Sequence, residues 1–344
     1  MRILLSLFIA IFVCANAVGQ RNEPIMIHSF PVESIQMVEV RASGGNITVT
    51  GNADSEVTVE VFATNPILSS SRIKELFEEN HTIDIKEENG KLTVVARVRR
   101  LNPTTWDRIG NRNRLSISFR INIPNDANSD LRTNNGNISI SNLSGKSQVI
   151  QTSNGALSVT NISGNLVGRT SNGNISLNNS QGNINLTTSN SGISAQNSSG
   201  TITLRTSNGR ISLDDLTGVI EARTSNGRIT GNDIQGTLET RTSSGSITLN
   251  RLSGNVSASN SGGSMSVGML SVDEFVRLSN SRESISLTVP DNDYNLNVRG
   301  DRINTSGLRD FRGNMDLRRQ LNGTIGGGGT EINVRGQRVN LTFR

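Results

Sequence analysis

At 344 residues, with 33% hydrophobic and 3% aromatic residues and 34 glycines, the chain has room for one elongated domain or two compact ones. It carries too few large apolar side chains for an ordinary globule of that length. Disorder does not fit either, because Ile, Leu and Val recur at regular positions. The formal charge of +5 comes from arginine, with lysine only at Lys74, Lys86, Lys91 and Lys146; guanidinium suits carboxylate, phosphate or sulfate partners, while the plainer reading is a solvated surface of Arg paired with Asp and Glu.

Residues 1–19 have one basic residue, an apolar run from Ile3 to Val13 and small residues after it. That pattern is a secretory signal peptide, too short in its apolar run to stay as a membrane anchor. Cleavage is expected after Ala17 or Gly19, and the product in the periplasm, at the cell surface or outside the cell. Cys14 is the only cysteine, so the mature chain is expected to have neither disulfide nor thiol chemistry. Bulky Val13 before it argues against a lipid anchor there. No later stretch is long and apolar enough for a transmembrane helix.

Residues 20–131 read as an irregular β-rich region. Strands are expected in IQMVEVRASGGNITVTG, EVTVEVFAT and LSISFRINIPND, and HTIDIKEENGKLTVVARV forms a hairpin turning at Glu88-Asn89-Gly90. One short helix is expected over Ser71–Asn80, with Ile73, Leu76 and Phe77 on one face.

From residue 132 to 290 the chain repeats itself. Aligned on the Ser-Asn-Gly turn, the column reads Gly136, Gly155, Gly173, Ser191, Gly209, Gly227, Gly245 and Gly263, stepping by 19 once and then by 18. A second glycine column, Gly145 to Gly254, follows nine residues later in each unit. Between the glycines apolar residues alternate with polar ones, as in Ile211, Leu213, Leu216, Ile220 and Ala222, so each unit is two short strands with one buried face. An antiparallel meander of such strands would leave that face uncovered. A parallel β-solenoid, or β-helix, with about 18 residues per coil buries it between two walls and pairs every backbone group with the coils above and below. The fold class expected is therefore all-β, a single-chain solenoid with irregular β-rich caps at both ends.

Stacking makes like lie on like. Asn154, Asn172, Asn190, Asn208 and Asn226 should form a hydrogen-bonding ladder, with Thr152, Thr170, Thr188, Thr206, Thr224 and Thr242 beside it. Glycine is expected after the Asn because the turn needs positive φ. No aromatic residue lies between Phe119 and Phe275, in keeping with a narrow aliphatic core. Residues 291–344 repeat the strand pattern loosely (YNLNVRG, GTEINVRG, RVNLTFR) and close the stack, with a loop or bulge at Gly326–Gly329.

The units TNNGNISI, TSNGNISL, TSNGRISL and TSSGSITL resemble the bacterial "putative adhesin" domains of unknown function, including those called head GIN domains. The entry FRINIPNDANSDLRTNNGNISI and the exit SISLTVPDNDYNLNVRGDRINT carry the same resemblance, which covers most of the mature chain. It implies a β-solenoid in a cell-envelope or secreted setting, with no catalytic residues to carry over.

Calcium-binding β-rolls need Asp after their glycines; here Asn174, Arg210, Arg228 and Ser246 stand there, so no metal is expected, and no cofactor. Asp215 and Asp233 would stack about 5 Å apart, the separation of a retaining glycosidase, which keeps a polysaccharide-active enzyme as the alternative function. Their column, from Asn142 to Arg251, is however a turn column in which Asn and Asp interchange. Arg205, Arg223 and Arg241 form a stacked column, with Arg210 and Arg228 across the turn and Glu221 and Glu239 two residues before. It is either a self-neutralised lattice or a groove for an acidic glycan or other envelope component. Nucleic acid is not expected as a partner, since the repeats lack aromatic platforms, and the two histidines, His28 and His81, lie outside them. The reading is a non-enzymatic binding or adhesion scaffold.

Overall fold

The computed structural model describes residues 23–32, 35–52, 56–99 and 114–344; the leader segment 1–19, with Cys14, lies outside them. Strands make up 66% of the structure and helix 4%, which makes the fold all-β. The chain divides into two compact units, residues 1–146 and 147–344. Among the described residues no helix is long and apolar enough to cross a membrane.

In the first unit the strands are β1 (Met26–Pro31), β2 (Met37–Arg41), β3 (Ile47–Asn52) and β4 (Glu56–Thr64). Helix α1 (Ser70–Asn80) follows, then β5 (His81–Glu88), β6 (Lys91–Val98), β7 (Ser116–Pro124), β8 (Asn128–Arg132) and β9 (Ile138–Leu143). Ser69 caps α1 by accepting from the Arg72 N–H, and Leu76 and Phe77 are buried beneath it. β5 and β6 pair as the expected hairpin, turning through Asn89 and Gly90 at φ 52° and 78°. This region is more orderly than its sequence. Parallel pairs build two walls, β6–β2–β8 and β7–β3–β9. The β2–β3 segment is thus sandwiched between segments that follow it in the chain. Antiparallel strands finish each wall, β5 on β6, and β4 then β1 on β7.

A charge cluster crosses β2 and β8. The Asp130 carboxylate accepts from Arg41 at 2.9 and 2.8 Å and from Arg132 at 3.0 and 3.2 Å. The Arg41 hydrogen bond, reinforced by that of Arg132, holds the Asp130 carboxyl below the ordinary carboxylate range. Because the folded pKa is depressed, this contribution is present above the unfolded value of about 3.9 and is lost as pH falls through the folded value. Asp130→Asn is expected to destabilise the first unit by about 1–2 kcal/mol near neutral pH, a figure kept small by partial exposure. In urea titrations followed from pH 6 downward, the gap between wild type and Asp130→Asn should close below the unfolded value.

The second unit contains β10 (Ser147–Gln151), β11 (Leu157–Arg169), β12 (Ile175–Asn178), β13 (Gln181–Thr187), β14 (Ile193–Arg205), β15 (Ile211–Arg223) and β16 (Ile229–Arg241). After them come β17 (Ile247–Asn260), β18 (Met265–Asn280), β19 (Ser284–Val289), β20 (Tyr294–Arg299) and β21 (Arg302–Ser306). The last four are β22 (Phe311–Asp316), β23 (Gln320–Ile325), β24 (Thr330–Arg335) and β25 (Arg338–Phe343). From β14 to β17 neighbours run parallel, with Ile193 beside Ile211, Ile211 beside Ile229, and Ile229 beside Ile247.

Each of these strands bends rather than breaks. In β15, Ile211 and Leu213 line one wall, Leu216, Ile220 and Ala222 the other, and all five are no more than 2% exposed. The bend is made by Asp215 at φ 49° and Gly218 at φ 122°. Asn142, Asn161, Asn179, Asn197, Asp233 and Arg251 take the same left-handed conformation, which short polar side chains tolerate best. Where the apolar column holds serine, the hydroxyl is satisfied: Ser180 Oγ donates to the Asn178 carbonyl at 2.9 Å and accepts from Ile162 N–H at 3.1 Å.

The Ser-Asn-Gly turn has a different logic from the positive φ expected of it. Left-handed glycines occur in the second column, Gly164 to Gly254, not in this one. Here glycine is required by closeness: a Cβ on Gly173 would sit 1.7 Å from the Gly155 carbonyl oxygen, and one on Gly227 1.7 Å from that of Gly209. The buried threonines fix this approach. Thr170 Oγ1 donates to the Gly155 carbonyl of the coil before at 2.9 Å and accepts from the Gly173 N–H at 3.2 Å. Thr206 and Thr224 accept from Gly209 and Gly227 in the same way, both at 3.1 Å. Asn260 and Asn280 take over the corner in the last coils.

The far end is threaded out of order. One wall continues from β18 through β19, β25 and β21. The other runs from β18 through β24 and β20, then closes with antiparallel β23 and β22. The β24–β25 segment is therefore an inner coil, with β20–β21 outside it. Tyr294 and Phe343 are buried in these two coils, 6.1 Å apart, while Phe275 lies against the Arg277 guanidinium at 4.1 Å.

Candidate functional site

The regular coils display side chains in straight columns because paired residues share a face and neighbouring strands are about 4.8 Å apart. On the turn edge the amides form a continuous ladder. Asn172 donates to Asn154 at 2.7 Å, Asn190 to Asn172 at 2.6 Å, Asn208 to Asn190 at 2.9 Å and Asn226 to Asn208 at 2.8 Å. With Nδ2 and Oδ1 both engaged along the run, this edge acts as a structural seam.

Beside it lies the arginine column. Arg205 and Arg223 occupy neighbouring ends of β14 and β15, and Arg223 and Arg241 those of β15 and β16. Glu221 bridges the first pair, with Oε1 2.7 Å from Arg205 Nη2 and 2.9 Å from Arg223 Nε. The second contact lacks hydrogen-bond alignment and is Coulombic. Glu239 Oε1 accepts from Arg223 Nη2 at 2.7 Å. The alternation Arg205–Glu221–Arg223–Glu239 cancels most of its own field, and exposed pairs of this kind contribute roughly 0–1 kcal/mol each. Among the described residues, Arg241, Arg210 and Arg228 form no ion pair. The five arginines therefore divide into two neutralised members and three exposed, uncompensated cations around one corner.

The two aspartates of the alternative reading sit at the opposite bend. Asp233 has Oδ1 against Arg251 Nε and Oδ2 against Asn232 Nδ2, so both oxygens are occupied by donors. A shallow groove of about 240 Å³ runs nearby, lined by Gln196, Ser212, Asp214, Thr230, Asn232 and Asn250 among others, and neither Asp215 nor Asp233 lines it. His28 lies on β1 and His81 opens β5, both in the first unit, and burial lowers the pKa of each. His81 stacks on Phe77 at 5.9 Å.

The arginine column has further members. Arg169 pairs with Thr187, and Thr187 with Arg205, so Arg169 stands two coils above Arg205. At the far end Ser279 pairs with Arg335, and Arg335 with Arg299. The signal for these was a shared ending, strand then Arg then small residue: LRTSN, EARTSN and ETRTSS in the repeats, NVRGD and NVRGQ in the tail.

Comparison with known proteins adds a family. Residues 35–304 match the family described as Toastrack DUF4097. No curated protein matches the chain. Among solved structures, a "putative adhesin" from Parabacteroides distasonis is 12% identical, covering 92% of this chain and 96% of that one, at a TM-score of 0.31. A "putative lipid binding protein" from the same species is 10% identical, with 93% and 96% covered and a TM-score of 0.27. A "putative adhesin" from Bacteroides fragilis is 13% identical, with 92% and 95% covered and a TM-score of 0.26.

Proposed function

The chain belongs to the Toastrack DUF4097 family, and from that premise we propose that it is an exported, non-enzymatic binding or adhesion scaffold of the cell envelope, built of coils of about 18 residues and engaging an acidic glycan or similar envelope component. The observation that carries this reading is the group of uncompensated guanidiniums at one corner of the coils, Arg210, Arg228 and Arg241. Arg210 and Arg228 follow equivalent turn glycines in successive coils, and their main chains are bonded through the intervening strand start, Ile211 N–H to the Arg228 carbonyl. Cations repeated at a strand spacing suit a polymer that carries one negative charge per residue more than a single small anion. The leader pattern of residues 1–19 supports export.

The test compares polygalacturonate with uncharged dextran. The triple variant Arg210→Ser/Arg228→Ser/Arg241→Ser should bind polygalacturonate about tenfold more weakly at low ionic strength. Arg205→Ser/Glu221→Ser/Arg223→Ser/Glu239→Ser, which removes the paired guanidiniums together with their carboxylates and leaves the net charge unchanged, should change it little. Unaltered binding in the triple variant would sink the proposal, and so would release of reducing ends from the polymer.

A further inference from the structure

At the far end of the second unit a cleft of about 620 Å³ opens at the corner shared by β18, β24 and β20. Arg299, Arg335, Arg318 and Arg319 line it, and Asp301 is its single carboxylate. Four guanidiniums against one carboxylate leave three uncompensated positive charges on a volume that would hold one or two sugar rings.

The origin of the imbalance is visible in the register. Arg299 and Arg335 face each other across β20 and β24, at the strand-end position that Arg223 and Arg241 occupy in the central coils. There, the residues two places earlier are Glu221 and Glu239, which pair with Arg205 and Arg223. Here those places hold Asn297 and Asn333, paired with each other. Among the described residues none of the four arginines makes an ion pair. Arg318 and Arg319 are brought in by the turn between β22 and β23. The Arg319 carbonyl accepts from the Gly300 N–H at 3.1 Å, and Asp316 Oδ1 caps the Arg318 N–H at 3.0 Å. The corner itself is bare backbone, Gly300 and Gly336, with the Gly336 N–H held by the Arg299 carbonyl at 3.0 Å. Planar forks converging from two strands and a turn can each donate paired hydrogen bonds to one tetrahedral oxyanion.

We propose that this cleft is a binding site for a multiply charged oxyanion, a sugar or other small molecule bearing phosphate or sulfate groups, distinct from the corner of the central coils where Arg210, Arg228 and Arg241 lie. Isothermal titration of the full chain with inorganic pyrophosphate and with a trisulfated disaccharide tests it, at salt of about 0.02 M and about 0.2 M. Saturable binding of at least one probe at one site per chain is expected, weakening at the higher salt. Saturation by pyrophosphate alone assigns phosphate, and by the disaccharide alone sulfate. Arg299→Ser/Arg335→Ser should lose about tenfold or more in affinity. Arg299→Lys/Arg335→Lys, which keeps the charge but not the fork, should fall between that variant and wild type. Arg210→Ser/Arg228→Ser/Arg241→Ser should bind as wild type does. The proposal is overturned if neither probe saturates at low salt, or if Arg299→Ser/Arg335→Ser, folded by circular dichroism, binds undiminished. Equal loss in the two sets of variants would also overturn it, since that is the behaviour of diffuse charge.

Discussion

Gly209→Ser is expected to destabilise the coil stack by about 3 kcal/mol or more, and Gly209→Ser/Arg210→Gly to recover at least half of that loss. A Cβ on Gly209 would lie 1.7 Å from the carbonyl oxygen of Ser191, a backbone atom that the ladder of adjoining coils holds in place. Neither coil can step aside, because Thr206 ties the Gly209 N–H from below and the Ser191 carbonyl from above, at 3.1 and 3.0 Å. Yet the chain itself carries a serine in this column, at Ser191, where the next residue is Gly192 and not Arg or Asn. There the Ser191 hydroxyl donates to the Asn172 carbonyl at 2.6 Å, and the Gly192 N–H to Asn174 Oδ1 at 3.0 Å. Moving the glycine one place along is thus the arrangement already proven compatible with the stack, and the double variant transplants it. Chemical denaturation followed by far-UV circular dichroism measures both steps. Arg210→Ala alone, on an exposed side chain, should stay within about 0.5 kcal/mol of wild type. A harmless Gly209→Ser would mean that the coils are not in close contact at this turn.

The central coils were readable in the sequence because one number, the repeat of the turn, fixes the partner of every residue. Ile211 lies beside Ile193 and Ile229 for the same reason that Asn208 donates to Asn190. The role of the turn glycine was not readable in the same way. Close approach and positive φ both select glycine, and only the neighbouring coil distinguishes them. The division of the arginines was half legible: Glu221 and Glu239 two places before Arg223 and Arg241 announce neutralisation, but which cation each carboxylate takes depends on rotamers. The flanks were legible as strands, and the tail as coils closing the stack, but the order in which their strands pair was not. Val40 pairs with Val94 and Leu131, and Leu278 with Val334. Such separations follow no common period, because hairpins, the helix α1 and antiparallel end strands are inserted between partners. A shared corner motif survived these insertions, and it is what places Arg299 and Arg335 in the column.

Removing residues 330–344 should be far more damaging than removing the eighteen residues 206–223 from the centre. The central deletion joins Arg205 to Thr224, and the register already places Arg223, which precedes Thr224, next to Arg205 in the adjoining coil. The shortened chain therefore meets the same glycine, threonine and aliphatic neighbours across the new junction. It loses one coil's share of nearest-neighbour stabilisation and keeps a continuous ladder. The other deletion takes out β24 and β25, on which both β18–β19 and β20–β21 depend for their pairing. It bares the backbone edges of β18 and β19, strips cover from Tyr294 and Leu296, and leaves β20 to β23 without a stack to join. Open edges with parallel, unpaired N–H and C=O groups invite association with other chains. The expected outcome is a soluble, cooperatively unfolding protein for the central deletion, and aggregation or protease-sensitive loss of residues beyond about 280 for the other. Limited proteolysis with mass spectrometry, alongside size-exclusion chromatography, distinguishes them. If the chain without 330–344 kept residues 284–325 protected, β24 and β25 would not be the inner coil, and the order of strands at this end would have to be redrawn.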